Sequence, residues 1–330
     1  MDGICTLGND YVFDQVVALL NSIEAIYEQK MPVCIYPYDD NIEKLATEIA
    51  SRPQVILYDD SISIKRWDSF AKAVWDTHPT ARKTWEKAGS KGYHRFGTHR
   101  RYCAFDGPFD RFIYMDADTI LMSPLDFVFA ELENKDCIVY DFQHKDLTHV
   151  YDVNSSKLTE VFSEERLKQE IFCSGFYASK QDLFSEKKKQ ELINSLKEGE
   201  AEILYCMAPD QTVINYMMMR SGFSIYNLAL NLPQEKKTGC CVTSSHFENK
   251  NNTLYDKDNP LTYIHYIGIS SQIFRKVCEG ENIDFPYRDI FLHYRYYNNP
   301  EKLPQFNQKA VYYQQKPNLK EKILKKLGLN

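Results

Sequence analysis

The chain has 330 residues, a formal net charge of −6 and 43% hydrophobic residues, which is enough apolar material for a sizeable core. This composition excludes a disordered or low-complexity protein, and no apolar run approaches the roughly 18 residues that span a bilayer. Because acidic side chains outnumber basic ones, we expect no nucleic-acid partner. The length allows one large α/β domain or two domains of about 150 residues each.

Cysteine usage and the first residues predict the cellular compartment. Nine cysteines are scattered along the chain without a C-x-x-C pair, which is typical of reduced thiols in the cytosol. The first ten residues contain no basic segment followed by an apolar one, so we expect no signal peptide. The sequence therefore predicts a cytoplasmic protein.

The first third of the chain alternates short apolar runs with segments of helical periodicity. The order is strand, helix, strand, helix, strand, which indicates a parallel sheet with helices on its faces. These five predicted elements span residues 3–7, 12–26, 32–38, 42–50 and 55–58.

The remaining sequence predicts further strands and helices of the same α/β class. Helical spacing is found at 67–75, 99–105, 187–197 and 211–220. Strands are predicted at 111–115, 137–142, 171–179, 223–228 and 262–267. From about residue 269 the sequence becomes aromatic and loop-rich, so we predict one domain over 1–268 and a C-terminal extension over 269–330.

Two aspartates follow the predicted strand 111–115, which is the most strand-like run of the chain. Residues i and i+2 of an extended chain point to the same side, so Asp116 and Asp118 should project together from the strand end. In open α/β sheets that edge is where ligands bind. Two carboxylates so close require a cation, and oxygen ligands suit Mg²⁺ or Mn²⁺. The structural alternative is a pair of carboxylates that cap a turn or helix.

A histidine far downstream can complete this set. His265 lies within the predicted strand 262–267, between aromatic residues. Taken alone, it is typical of a core histidine with a satisfied hydrogen bond. Combined with Asp116 and Asp118, its imidazole nitrogen favours Mn²⁺, with Mg²⁺ as the alternative.

Five motifs follow one another in order along the first 268 residues: TLGNDY at 6–11, FIYMDADTIL at 112–121, SG at 174–175, PDQTVIN at 209–215 and HYIG at 265–268. Together, over residues 3 to 268, they resemble the retaining GT-A glycosyltransferases of family 8, which include glycogenin and the bacterial lipooligosaccharide galactosyltransferases. The resemblance implies a GT-A (Rossmann-like) α/β fold, with a mostly parallel central sheet and helices on both faces, and a catalytic domain over 1–268.

The resemblance also implies an activity and a set of site residues. The enzyme would transfer a hexose from a UDP-sugar to a glycan, lipid-linked or protein acceptor, with retention of the anomeric configuration. Asp116, Asp118 and His265 would hold the metal ion, and Asp210 and Gln211 would line the donor sugar as catalytic residues. The residues that bind the nucleotide donor would be Thr6, Leu7, Asn9, Tyr11, Arg100, Asp116, Ala117, Asp118 and Gly268.

Two of these roles can be made more specific, and three of the residues have a plain structural alternative. Tyr11 would stack on the uracil, and Arg100 would lie near the diphosphate. The alternatives are that Tyr11 packs at a helix start, that Arg100 pairs with a nearby carboxylate, and that Asp210 caps a helix after a proline.

The sequence departs from the family pattern after its histidine motif. The family continues with Gly-x-x-Lys-Pro-Trp, whereas no lysine follows Gly268 at that spacing, so Arg275 or Lys276 would have to replace it. The asparagine of the family's Asn-Ser-Gly motif is Cys173 here. A nucleotide-sugar-binding protein with weak or lost transferase activity is therefore one alternative, and an inverting enzyme is another. A haloacid-dehalogenase-like phosphatase is a third, although Ile120 breaks its D-x-D-x-[TV] signature.

The end of the chain and three loops bear on the acceptor. Residues 318–327 combine apolar residues at helical spacing with four lysines. They predict either a solvated terminal helix or an interfacial helix that contacts anionic lipid at the membrane surface. We expect the acceptor site on the loops 61–98 and 143–170 and in the region after 230.

Overall fold

The computed structural model describes residues 1–314 of the protein. The predicted C-terminal helix at 318–327 lies outside the described residues. Strands are β1 (Asp2–Gly8), β2 (Val33–Pro37), β3 (Val55–Leu57), β4 (Arg111–Met115), β5 (Thr119–Leu121), β6 (Cys137–Val139), β7 (Phe176–Lys180), β8 (Ile225–Asn227), β9 (Glu248–Lys250), β10 (Thr253–Asp256), β11 (Asn259–Pro260), β12 (Tyr263–His265), β13 (Ile283–Asp284) and β14 (Val311–Tyr312).

Helices surround these strands. The α-helices are α1 (Phe13–Tyr27), α2 (Glu43–Ile49), α3 (Ser61–Asp76), α4 (Ala81–Lys87), α5 (Asp126–Glu131), α6 (Leu158–Val161), α7 (Glu164–Gln169), α8 (Glu186–Lys197), α9 (Pro209–Arg220), α10 (Leu228–Asn231), α11 (Ser271–Cys278) and α12 (Arg288–Arg295). Short 3₁₀ helices span Asp10–Val12, Phe96–Asp106, Gln143–Lys145, Leu147–His149, Glu200–Ile203, Gln234–Lys236 and Pro300–Lys302.

A seven-stranded sheet forms the centre of the protein, with strand order β3-β2-β1-β4-β7-β6-β8. All neighbouring pairs are parallel except β4–β7 and β6–β7, because β7 runs opposite to the others. The α/β class and the mostly parallel sheet predicted from the sequence are confirmed. The carboxyl ends of β1, β2 and β4 consequently meet at one edge of the sheet, where a site can form.

The central sheet buries a different apolar cluster on each face. Along β1, Cys5 and Leu7 belong to one cluster, whereas Ile4 belongs to the other, as the alternation of side chains along a strand requires. The first cluster contains Trp67, Trp75 and other aromatic residues of α3 and α4. The second contains most of the apolar residues of α1.

Two predicted strands differ from what the structure shows. The segment 171–179 becomes extended only at Phe176, because the Asn215 side chain holds the preceding turn by accepting from Phe172 N (2.9 Å) and donating to Phe172 O (2.9 Å). The segment 262–267 provides β12, which pairs with β5 outside the central sheet. This pairing places His265 opposite Thr119, one residue after Asp118.

The C-terminal part of the described chain packs on the sheet domain. A third apolar cluster joins Ala18 of α1 and Ile120 of β5 to Phe274 and Phe291, which lie beyond residue 268. Helix α12 also contacts α1, where Arg295 Nε bonds Asp14 Oδ1 at 2.7 Å. The domain boundary at 268 remains a prediction. Within residues 1–314, no helix is both long and apolar enough to cross a membrane.

Candidate active site

Asp116 and Asp118 lie in a tight turn between β4 and β5. The turn is closed by Thr119, whose N–H and hydroxyl both donate to Asp116 O, at 3.0 and 2.7 Å. The two carboxylates therefore converge through a turn rather than through the extended geometry expected from the sequence. About a quarter of each side chain is exposed, at the floor of a cleft.

His265 meets this turn from β12. Its Nε2 lies 3.2 Å from Asp118 Oδ1, and the N–H of the next residue, Tyr266, donates to Asp118 O at 2.9 Å. One ligand atom from each of Asp116, Asp118 and His265 lies within 4.8 Å of the others. The structure thus brings together the three residues that the sequence predicts as metal ligands.

The protonation of these groups reflects their mutual charges. Burial raises the pKa of Asp116, although the Arg101 guanidinium opposes this rise. Burial would also raise the pKa of Asp118, but the His265 imidazole outweighs it and lowers that pKa. Burial disfavours a charged imidazole, yet Asp118 raises the pKa of His265 well above its ordinary value. Without a metal ion, the contact between Asp118 and His265 therefore favours the charged form of each group.

Divalent cations of the Mn²⁺ or Mg²⁺ type fit this donor set. Two carboxylates and one imidazole supply three ligand atoms of the kinds that Mn²⁺ accepts. A cation there would also offset the repulsion between the two carboxylates and displace the proton from His265. The three side chains leave coordination positions free for oxygen atoms of a ligand.

A buried arginine that the sequence analysis did not select holds the other side of the site. Arg101 is only 3% exposed and bridges Asp116 Oδ1 (3.1 Å) and Asp210 Oδ2 (2.9 Å) with one nitrogen. Its second terminal nitrogen donates to Ser174 O at 2.8 Å. Every charged contact of this guanidinium is thus used in positioning the two carboxylates.

Asp210 and Gln211 lie at the start of α9, beside this arginine. Asp210 is in the first turn of the helix, so its side chain is not the N-cap that the alternative reading expected. Burial would raise its pKa, but Arg101 and further cations lower it to about 2, so the carboxylate is ionised. Gln211 accepts from Ser174 N (3.1 Å) and donates to His149 O (2.8 Å), so both ends of its amide are occupied.

A glycine allows the strands that carry the ligands to approach. A Cβ atom placed on Gly175 would lie 2.5 Å from His265 Cε1 and 3.0 Å from Asp116 Oδ2. Gly175 O also accepts from Asp116 N at 2.9 Å. Only glycine fits between the two metal-ligand candidates at this position.

Two cavities meet at the carboxylate pair, and both are lined by Arg95, Arg101, Asp116 and Asp118. We name them after the roles that the sequence analysis predicts for residues in their walls. The first, the nucleotide cavity, has a volume of about 570 Å³. The second, the sugar cavity, has a volume of about 690 Å³. The nucleotide cavity is further lined by Leu7, Gly8, Asn9, Tyr11, Val12, Gln15, Tyr38, Asp39, Asn41, Thr98, Ala117 and Ser271. The sugar cavity is further lined by Asp141, Asp210, Gln211, His265, Gly268 and others.

Comparison with solved structures identifies the fold. The chain matches the apo structure of WbbM, a bifunctional glycosyltransferase, with TM-score 0.54 and 13% identity. The match covers 92% of this chain, which spans about half (51%) of WbbM. The chain has the GT-A fold. At this identity the match shows the fold and not the activity.

Other glycosyltransferase structures match the chain less well. Mouse xyloside xylosyltransferase 1 in its apo form matches with TM-score 0.48 and 12% identity, over 69% of this chain and 85% of its own. The galactosyltransferase LgtC, in complex with donor and acceptor sugar analogs, matches with TM-score 0.48 and 14% identity, over 84% of this chain and 94% of its own. No protein-family model and no curated protein sequence matches the chain.

In this GT-A fold, most predicted nucleotide residues line the nucleotide cavity. Tyr11 is 46% exposed, so its ring is free to stack on a base. The Asn9 side chain caps the adjacent 3₁₀ helix by accepting from Tyr11 N and donates to Asp39 at 2.9 Å. Thr6 is an exception, since it is fully buried within β1 and lies outside the cavity lining. From this position the Thr6 hydroxyl does not directly contact a ligand in the cavity.

Arg100 is placed differently from the prediction. It lines neither cavity and instead pairs with Asp68 (3.2 Å) and donates to Pro37 O (3.2 Å). Its neighbour Arg101 and the exposed Arg95 face the cavities instead. Within residues 1–314, Arg95 has no carboxylate within ion-pair distance, so its charge is available for a ligand.

Arg275 and Lys276, the two candidates to replace the missing lysine, also lie in different surroundings. The Arg275 guanidinium lies 5.3 Å from the centre of the Tyr11 ring, and both residues line a separate cavity beside the nucleotide cavity. Lys276 pairs with Glu281 at 2.9 Å and lines neither cavity. The placement therefore favours Arg275 over Lys276 as a cation near Tyr11.

Asp141 is a site residue that the sequence analysis missed. It lies in the wall of the sugar cavity, where burial raises its pKa to about 7 despite hydrogen bonds from Gln143 N (2.7 Å) and Cys173 N (3.2 Å). The signal was available, because Asp141 follows shortly after β6 as Asp116 follows β4.

Proposed function

We propose that the protein is a metal-dependent hexosyltransferase that uses a UDP-sugar as donor and Mn²⁺, or alternatively Mg²⁺, as its metal ion. The acceptor would be a glycan, a lipid-linked sugar or a protein, and the anomeric configuration would be retained. The observation that carries this proposal is the cluster of Asp116, Asp118 and His265 at the junction of the nucleotide and sugar cavities. The GT-A fold supports it.

The arrangement suits departure of a nucleoside diphosphate. A divalent ion held by the cluster would stabilise the negative charge that develops on the leaving phosphate. Arg95 borders both cavities without an ion-pair partner in the described chain, so we assign it the diphosphate role first predicted for Arg100. Tyr11 would stack on the uracil at the far end of the nucleotide cavity.

Residues of the sugar cavity would act on the hexose. Asp210 is ionised and fixed by Arg101, so its charge can stabilise positive charge on the anomeric carbon or accept from a sugar hydroxyl. Gln211 is held by two backbone groups and would present its amide in one orientation. Retention then proceeds by a double displacement or by attack from the leaving-group side.

Calorimetry of UDP binding tests the metal and the nucleotide together. We expect UDP to bind with Mn²⁺ present, to lose at least about tenfold in affinity when the metal is chelated, and to bind better than GDP or ADP. D118N should abolish the metal effect, whereas D59N, the same change at an exposed aspartate, should not. Equal UDP affinity with and without metal would contradict the proposed site.

Turnover separates a transferase from the alternatives. D210N should slow UDP-sugar hydrolysis while UDP affinity stays nearly unchanged, because Asp210 acts mainly in the transition state. A binding protein without activity would show UDP affinity but no hydrolysis in the unaltered protein. Turnover of p-nitrophenyl phosphate would instead support the phosphatase alternative, which the GT-A fold does not favour.

A further inference from the structure

A third cavity, of about 540 Å³, adjoins the sugar cavity, and we call it the basic cavity. The two cavities share Phe142, Cys240 and Cys241 in their walls. The lining residues on which the argument depends are His144, Lys145, Lys237, His246, Asp256 and Lys257. Its walls therefore come from the loop after β6 and from the region after residue 228.

The charge of the basic cavity is opposite to that of the whole chain, whose net charge is −6. Lys145, Lys237 and Lys257 line it, and none of them has a carboxylate within 4.0 Å among residues 1–314. The single lining carboxylate, Asp256, is already engaged by Gly239 N (2.8 Å) and His246 (3.4 Å). Three uncompensated ammonium groups in one concave surface produce a positive local potential.

The environment of His144, in the wall of the basic cavity, reflects this positive potential. Its Nδ1 is buried and has no hydrogen-bond partner in the described chain. Burial lowers the pKa of His144 first, and the positive charges of Lys145 and Lys237 lower it further. A negatively charged group in the cavity would relieve this repulsion and could accept from the imidazole.

The basic cavity is separated from the metal-ligand candidates by a single extended segment. Cys241 pairs with His265 as an isolated bridge, and the flanking bonds His265 N to Cys240 O (2.7 Å) and Val242 N to His265 O (3.0 Å) continue it. Neighbouring extended chains lie about 4.8 Å apart. A molecule that spans the Phe142 wall can therefore reach both cavities.

We propose that the basic cavity binds an anionic group, a phosphate or a carboxylate, carried by the sugar acceptor. The inference rests on the proposed transferase function and deepens it, because it names the class of acceptor. The lysine ammonium groups supply the donors for the anion, and the aromatic face of Phe142, over which Lys145 Nζ lies at 4.6 Å, supplies an apolar surface for the adjacent sugar ring. The acceptor hydroxyl would then enter the sugar cavity.

Ligand-observed NMR titrations test this with three defined probes. The probes are glucose as the neutral reference, glucuronate as the carboxylate and glucose 6-phosphate as the phosphate, each titrated with UDP and Mn²⁺ present. We expect at least one anionic probe to bind about tenfold or more tightly than glucose. That preference should shrink between about 50 mM and about 500 mM NaCl, since exposed charges are screened.

Variants connect the preference to the cavity. K145Q/K237Q/K257Q should abolish the preference for the anionic probe. K30Q/K187Q/K197Q, which removes the same charge from three exposed lysines outside the three predicted acceptor regions, should keep it. UDP affinity with Mn²⁺ should be unchanged in both variants.

The outcomes distinguish this inference from the proposed function. Equal binding of glucose and both anions, a preference insensitive to salt, or a preference that survives K145Q/K237Q/K257Q would overturn the anionic acceptor. Loss of UDP binding in the unaltered protein would instead overturn the transferase site. The salt titration uses the unaltered protein, so the test does not depend on the folding of any variant.

Discussion

Removal of the Arg101 charge is the sharpest test of how the site is built. R101M preserves the approximate length of the side chain and removes the cation that lies 3.1 Å from Asp116 and 2.9 Å from Asp210. Ser174 O loses its donor in the same change. The variant therefore leaves two carboxylates and one carbonyl without their shared partner in a mostly buried site.

The expected loss of stability in R101M follows from the lowered pKa of Asp210. Its pKa of about 2 in the folded protein, against an ordinary value of 3.8, corresponds to about 2 kcal/mol of stability at neutral pH. Removal of one partner of a buried ion pair typically costs about 3–5 kcal/mol, because the remaining charge stays desolvated. We therefore expect R101M to lower the free energy of unfolding by about 3 kcal/mol at pH 7.

The sign of the pH dependence is fixed by the same shift. A carboxylate whose pKa is lower in the folded state stabilises the protein above its unfolded pKa, and this contribution is lost as the pH falls through about 2. In R101M the contribution is absent at every pH. The difference in the free energy of unfolding between the unaltered protein and R101M should therefore become smaller as the pH falls from about 4 to about 2.

Urea unfolding, with and without UDP and Mn²⁺, measures the effect. R52M is the matched control, because Arg52 is also buried and pairs with Glu24 and Glu48 away from the cavities. Both variants should lose stability, but added Mn²⁺ should recover part of the loss only in R101M, where it offsets the charge of Asp116. A loss below about 1 kcal/mol, or equal recovery in both variants, would refute the proposed role of Arg101.

Two further predictions concern Gly175 and Asp141. G175A should weaken metal-dependent UDP binding by about tenfold in calorimetry, because its Cβ would displace His265 or Asp116, and full affinity would show that the ligands can shift freely. The pKa of Asp141 rises to about 7 on folding, so the free energy of unfolding of the unaltered protein falls as the pH rises from about 4 to about 7. D141N should remove this pH dependence. The loss is at most about 4 kcal/mol, and parallel thermal-unfolding profiles for D141N and the unaltered protein would contradict the assignment.

The sequence predicted the elements whose pattern is local. Strand β4 was predicted with its observed bounds, because Arg111 and four apolar residues lie between a turn signal and a charged pair. The alternation of strands and helices up to β3 likewise indicated parallel pairing. The reversed direction of β7 and the separate pairing of β12 depend on contacts between distant segments, and residue patterns do not encode these directly.

In the candidate site, too, some residues could be predicted from the sequence pattern, whereas others depend on how distant segments pack. Asp116, Asp118 and His265 could be selected because two lie at a strand end and one completes a familiar ligand set. The choice between Arg100 and Arg101 could not be made, because adjacent residues of a 3₁₀ helix point about 120° apart and either may face the site. Only the packing of that helix decides that Arg101 faces the carboxylates.

The distribution of charge constrains the order of binding. The core of the site holds three carboxylates, Asp116, Asp118 and Asp210, against Arg101 and His265, whose pKa Asp118 raises well above its ordinary value. In the proposed transferase these carboxylates would disfavour an anionic diphosphate, despite the nearby Arg95, until a divalent cation compensates their charge, and that cation would displace the proton from His265. Because linked binding is reciprocal, UDP must raise the affinity for Mn²⁺ by the same factor as Mn²⁺ raises the affinity for UDP. Calorimetry of both arms of the cycle measures this factor, with proton release measured in two buffers of different ionisation enthalpy, and a factor near one would mean that UDP binds away from the metal ion.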